Sequence, residues 1–347
     1  MTGPQSQVAT TDSPRRVELG LGLQSDKRPG EYARLAVAAE QHGFDVLSVF
    51  SDLLYQPPIA ALLEMARVTD RVRLGAACWN PYTLHPYEIA GQVATLDLAS
   101  NGRSYIGLAR GTWLGRIGVP QPRPVATLRA AARTVTALLT GDPAGIEDEL
   151  FPLAPGTVLR YGLPTRLPPL LIGTWGEQTA RMAGAVADEV KLGGSANPAM
   201  VGVMRGWLDA GSRQAGRRPG AVGVVVGAVT VVDEDGPAAR ALARREVAMY
   251  LAVVAGLDPT VVLPAGLLDG VQRRVETGDH EGAGRLIPDE VLDLFSFSGT
   301  PEQVAAQAQR LIDAGVSRVE FGTPHGRTGI EGVELLGRRV VPLLRRG

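Results

Sequence analysis

Eight short apolar runs, separated by stretches with helical periodicity, set the strongest limit on how this chain folds. They are 17–23 (VELGLGL), 46–50 (VLSVF), 72–77 (VRLGAA), 104–109 (SYIGLA), 170–173 (LLIG), 189–193 (EVKLG), 222–232 (VGVVVGAVTVV) and 318–322 (RVEFG). Most are continuous rather than alternating, as strands covered on both faces are. Between them, Ile89, Ala90, Val93 and Leu96 recur at helical spacing behind Pro86, and Val125, Leu128, Val135 and Leu138 do the same over 124–140. Thr300-Pro301-Glu302-Gln303 is a capping box opening a further helix, which Gly315 closes. Strands alternating with helices predict a parallel sheet, and eight such units predict a closed α/β TIM (β/α)8 barrel. A doubly wound open sheet is the alternative fold. The lack of a Gly-x-Gly-x-x-Gly after the first run counts against it.

The chain's 347 residues hold one barrel of about 250 residues plus insertions. Residues 1–16 are polar and read as a disordered tail, which leaves a single barrel over 17–347. Residues 142–169 are rich in Pro and Gly and read as a long loop. Residues 238–296 follow the seventh run and carry two or three extra helices. A segment leaving the C-terminal end of a barrel strand emerges on the catalytic face, so this insertion is expected to act as a lid or substrate wall.

Charge narrows the partners. With 35 basic and 36 acidic residues the formal net charge is −1, so no global field draws in nucleic acid or a membrane surface. Cys78 is the single cysteine. It excludes an internal disulfide and a multi-cysteine metal site, and fits a cytoplasmic protein. Residues 1–16 lack an apolar h-region and are not expected to be a signal peptide, and no apolar stretch reaches membrane-spanning length.

In a barrel the residues just after each strand face the active site. Among them, Asp52 is the carboxylate that most directly follows a strand before the seventh, and His325 the one imidazole. They include no Ser-His-Asp set, no His pair at metal spacing and no lysine suited to a Schiff base. Small residues, amides and aromatics prevail, which suits a large flat cofactor that carries the reactivity itself. Gly173-Thr174-Trp175-Gly176-Glu177-Gln178-Thr179 leads from a strand into a helix whose free N–H groups suit a phosphate; ordinary capping is the plainer reading. Arg110, beside Gly111, faces either an anion or solvent. Trp79, Trp113 and Trp175 follow three successive strands and are expected to wall an apolar substrate pocket, with core packing as the alternative for each.

Six segments together resemble the coenzyme F420-dependent branch of the bacterial luciferase-like family, nearest its methylenetetrahydromethanopterin reductases. They are 38–52 (AAEQHGFDVLSVFSD), 74–86 (LGAACWNPYTLHP), 94–111 (ATLDLASNGRSYIGLARG), 170–190 (LLIGTWGEQTARMAGAVADEV), 282–303 (GAGRLIPDEVLDLFSFSGTPEQ) and 315–326 (GVSRVEFGTPHG). The resemblance implies an F420-dependent oxidoreductase that transfers a hydride between the deazaflavin and a small metabolite, with an imine or an activated C=C bond as the favoured acceptor. An FMN-dependent monooxygenase and a non-catalytic flavin-binding protein are the alternatives. It also implies a bulge with a cis peptide between Ala77 and Cys78 supporting the ring, with Ala76 and Ala77 small for that reason and Cys78 a packing residue. The expected cofactor contacts, joining this to the strand-end reading, are Asp52, Ala76, Ala77, Cys78, Asn80, Arg110, Gly111, Thr112, Gly173, Thr174, Gly176, Glu177 and Gln178. A homodimer is compatible with the resemblance. Gly22, Leu53 and Thr112 stand where relatives carry acidic groups or histidine, so Asp52 and His325 become the expected proton-handling residues, and Leu53 joins the substrate pocket.

Overall fold

The computed structural model describes residues 16–345. The polar tail therefore lies outside the described residues, except Arg16, whose guanidinium pairs with Asp45. Nine strands run in chain order: β1 (Glu18–Leu23), β2 (Val46–Val49), β3 (Arg73–Ala76), β4 (Ile106–Ala109), β5 (Leu170–Gly173), β6 (Glu189–Gly193), β7 (Gly223–Val232), β8 (Ser296–Gly299) and β9 (Arg318–His325). Their named pairings are all parallel. The order is β3-β2-β1-β9-β7-β6-β5-β4. Bridges Leu74↔Ser104 and Trp79↔Leu108 close the ring between β3 and β4. The fold is thus the closed eight-stranded barrel, not the open sheet.

β8 was not legible in the sequence, and β7 explains it. β6 pairs with β7 only as far as Gly193↔Gly227, while β7 runs on to Val232. β8 takes up the vacated edge, from Val229↔Ser296 to Val232↔Gly299, and satisfies backbone groups that would otherwise be unpaired. β9 also extends three residues past the predicted strand end, so Thr323, Pro324 and His325 belong to the strand rather than to a rim loop. Val231↔His325 pairing follows a register shift there, and the Thr323–Pro324 bond is cis.

The β3–β4 seam is irregular. Between its two bridges β3 has one residue more than β4, which makes a bulge. The non-prolyl cis bond lies within it, at Ala77–Cys78, where the resemblance implied one. Trp79 N donates to Gly107 O at 2.9 Å and Ala109 N to Trp79 O at 2.9 Å. Between β7 and β8, helices Gly236–Ala248, Leu251–Val254, Leu267–Glu276, His280–Arg285 and Asp289–Phe295 gather around a second core that includes Val247, Leu251, Val271, Leu292 and Phe295. The predicted capping box is present, with Thr300 and Gln303 bonding reciprocally.

Candidate active site

A cavity of about 610 Å³ opens at the C-terminal ends of the barrel strands. One part of the wall is the bulge, through Ala77, Cys78 and Asn80; beside it stand the end of β5 and its turn, through Gly173, Thr174, Trp175, Gly176 and Thr179, with Gly173 against Cys78. Ala109 ends β4 and Arg110, Gly111 and Thr112 follow it, and Asp52 and Leu53 follow β2. Val253, Val254 and Leu257 from the helical insertion complete an apolar wall.

The geometry of these groups limits their chemistry. Asn80 Oδ1 accepts from Tyr82 N at 3.2 Å, Thr83 N at 3.0 Å and Thr83 Oγ1 at 3.0 Å. Its carbonyl therefore holds the turn, and Nδ2 is the group left for a ligand. Burial pushes the Cys78 thiol up to about 12, so it is a protonated packing group at neutral pH. The helix Glu177–Val186 begins at Gly176 without a capping side chain, which leaves first-turn N–H groups unclaimed by one. Gln24 Nε2 donates to Asp52 Oδ2 at 3.2 Å. Asp52 reaches solvent through the cleft, but protein crowds its other sides. That crowding raises its carboxyl above the ordinary range, against the Gln24 bond and the Lys191 charge.

Several expected residues lie elsewhere. Trp79 is 1% exposed and belongs to the core, because the seam hydrogen bonds turn it inward; it walls no pocket. Ala76, fully buried at the end of β3, is core as well. Trp113 is 39% exposed and sits beneath Arg116, 5.9 Å from its ring centroid, outside the cavity lining. Trp175 does line it, held by its Nε1 bond to Gly193 O at 3.1 Å. Glu177 pairs with Arg181 on its own helix at 2.8 Å, and neither it nor Gln178 lines the cavity; Thr179 does.

His325 is the main correction. As part of β9 it is 1% exposed, its Nε2 lies 3.2 Å from Phe321 O, and it does not line the cavity. Burial lowers it to about 4, so it is neutral near pH 7 and badly placed to donate a proton. The sign has a consequence for stability. Between an unfolded value near 6.5 and about 4, the unfolded chain binds more protons, so stability falls as pH drops through that window. The loss from this one group approaches about 3 kcal/mol at full shift. His325→Gln is expected to flatten that part of the profile, read as urea midpoints from pH 7 to 4. A variant curve parallel to the parent would rule this out.

The barrel interior holds the groups that strand-end reasoning missed. Lys191 of β6 donates to Glu320 Oε1 of β9. Ser48 Oγ donates to Glu320 Oε2 at 2.6 Å, and the Tyr105 hydroxyl donates to Ser48 Oγ at 2.8 Å. Burial alone would raise the Glu320 carboxyl, but Lys191 and Arg318 hold it below its usual value. Below this layer Arg73 contacts Glu189 at 3.4 Å and Arg318 contacts Glu189 at 3.2 Å. The signal was present: Glu189 and Lys191, and Arg318 and Glu320, are charges two apart inside apolar strands, and such pairs share one face.

A closed parallel barrel with a mouth cavity, a β3 bulge and a helical wall after β7 is the architecture to which known proteins were compared. The luciferase-like monooxygenase family matches residues 10–318, and this chain belongs to that family. The 5,10-methylenetetrahydromethanopterin reductase of Archaeoglobus fulgidus is 28% identical over 339 residues, covering 95% of this chain and 100% of that protein. The F420-dependent glucose-6-phosphate dehydrogenase of Nakamurella multipartita is 27% identical over 334 residues, covering 91% and 93%. The solved coenzyme F420-dependent tetrahydromethanopterin reductase from Methanopyrus kandleri superposes with a TM-score of 0.83 at 24% identity, over 94% of this chain and 99% of that one.

Proposed function

We propose that this protein is a coenzyme F420-dependent oxidoreductase acting on a small metabolite, with reduction of an imine or an activated C=C bond as the reaction. The observation that carries this is the shape of the cavity. Ala77, Cys78, Ala109 and Gly173 form one continuous small-residue wall of a slot, a Cβ on Gly173 standing only 3.1 Å from Cys78 Sγ and 3.2 Å from Ala109 Cβ. A Cβ at Gly176 or Gly193 would meet nothing within 4 Å, which leaves room for a flat ring. When bound, the deazaflavin supplies a hydride, and the protein's task is alignment and exclusion of water. Ala77 and Cys78 support the ring. The open helix start, which meets the cavity at Gly176 and Thr179, receives a phosphate at its N-terminal end, and Arg110 adds charge at the rim. Asp52, fixed by Gln24, borders the polar end. Leu53, Trp175, Val253 and Leu257 keep water from the substrate end, the insertion acting as its wall. The names of the curated relatives support F420 over FMN.

Titration with F420 and with FMN tests the proposal. F420 should bind saturably, seen as quenching of its fluorescence, and FMN should compete weakly or not at all. Tight FMN binding without an F420 complex would overturn it in favour of the flavin reading.

A further inference from the structure

The side chain of Lys191 is only 7% exposed, but it forms part of the cavity floor. Glu320 takes one of its N–H groups. Among the described residues no other acceptor takes the remaining two, and the Phe50 ring lies 5.0 Å from Nζ. Ser48 fills the second Glu320 oxygen, and Tyr105 backs Ser48. The ammonium is therefore fixed by Glu320 and the Phe50 ring, with a donor left over at the cavity lining. Buried ion pairs rarely stabilise a fold beyond what an apolar pair of similar size achieves. Stability alone does not account for placing one against an open cavity.

Resting on the function proposed above, we infer that Lys191 is a catalytic residue whose free N–H groups receive the carbonyl oxygen of an α,β-unsaturated carbonyl substrate, with Glu320 as its positioning residue. In such a substrate the hydride supplied by the reduced deazaflavin forms the new C–H bond at the β-carbon. The C=C π pair shifts, and the C=O π pair moves onto oxygen as an enolate. A preorganised ammonium favours charge developing there. After hydride transfer, outside the shielded step, the enolate would take a proton from solvent at its α-carbon and the carbonyl re-form, while Lys191 keeps its own protons. The bound deazaflavin would supply the two electrons, so that the C=C bond would end reduced. An imine has no carbonyl oxygen for these N–H groups to receive, so the inference selects the C=C half of the proposed reaction.

The experiment uses p-nitrophenol as an enolate mimic, because its absorbance reports ionisation directly. It is run on the full chain with and without F420, so an absent F420 complex counts against the cofactor reading while the phenol result judges Lys191. The parent protein should bind the phenolate in preference to the phenol and lower the pH at which the bound probe ionises. Lys191→Met should weaken phenolate binding about tenfold or more and remove that shift. Because Lys191→Met leaves Glu320 unpaired in the interior, the double variant Lys191→Met/Glu320→Gln is measured beside it and should give the same loss. With reduced F420 and 2-cyclohexen-1-one, Lys191→Met should lose turnover by roughly 10²-fold, with Lys191→Arg intermediate. Preference for the neutral phenol, no phenol binding, or a phenolate preference that survives in both variants would each overturn the assignment.

Discussion

Ala77→Leu is expected to weaken F420 binding by about two orders of magnitude or more, with the melting temperature nearly unchanged. Ala77 sits in the bulge with its backbone N–H bonded to Val49 O at 2.8 Å, and its side chain borders the slot. A leucine there adds three carbons where the ring is proposed to lie, so a ligand loses both the space and its alignment. The fold does not lose in the same way, because the new atoms enter the cavity rather than the packed core. That asymmetry separates a site residue from a core residue. F420 fluorescence titration and a thermal melt measure the two quantities. Unchanged affinity would remove the bulge from the cofactor site, and a collapsed melting temperature would show that Ala77 serves packing instead.

Gly107→Ala is expected to show the opposite pattern, a loss of stability of about 3 kcal/mol before any ligand is added. A Cβ on Gly107 would stand 1.9 Å from Ala76 O and 3.1 Å from Ala76 C. Both are backbone atoms at the foot of the bulge, so no side-chain rotation relieves the overlap. The extra β3 residue pushes that carbonyl toward β4, and only glycine admits it. Relief requires the seam to open, which disturbs the Trp79–Gly107 bond and with it Ala77 and Cys78. Denaturant unfolding measures the effect, and a variant as stable as the parent would show that the seam relaxes freely.

The barrel was legible because its signal is a repeated one. Eight apolar runs, each followed by a helix, leave few alternatives, and one misplaced end changes little. Single positions were harder. Trp79 and Trp175 both follow strands, but only hydrogen bonds formed after folding decide that the first turns inward and the second outward. His325 looked like a rim residue because Pro324 suggests a strand end. The strand continues through the cis Thr323–Pro324 bond instead and buries the imidazole. β8 has only Phe297 as a large apolar residue among Ser296, Ser298 and Gly299, and its pairing depends on an edge left free by another strand. Lys191 and Glu320 are hard to read because they lie inside strands, where a charge is masked by the apolar run around it. Their partners are more than a hundred residues apart in the chain, as with Lys191 and Glu320 themselves, and no local pattern joins them.

β8 also bears on how this architecture diversifies. The chain leaves β7 after Val232 and re-enters the sheet at Ser296, whose partner on β7 is Val229. Adjacent strands lie about 4.8 Å apart with a rise of about 3.3 Å per residue, so the whole intervening stretch starts and finishes within roughly 11 Å. It carries its own apolar core. The stretch behaves as a cassette in a fixed socket: its length and sequence can drift while the ladder on either side keeps its register. Exchanging that cassette between members of the family would then reshape the pocket wall around Val253 and Leu257 and leave the bulge and the interior charges untouched.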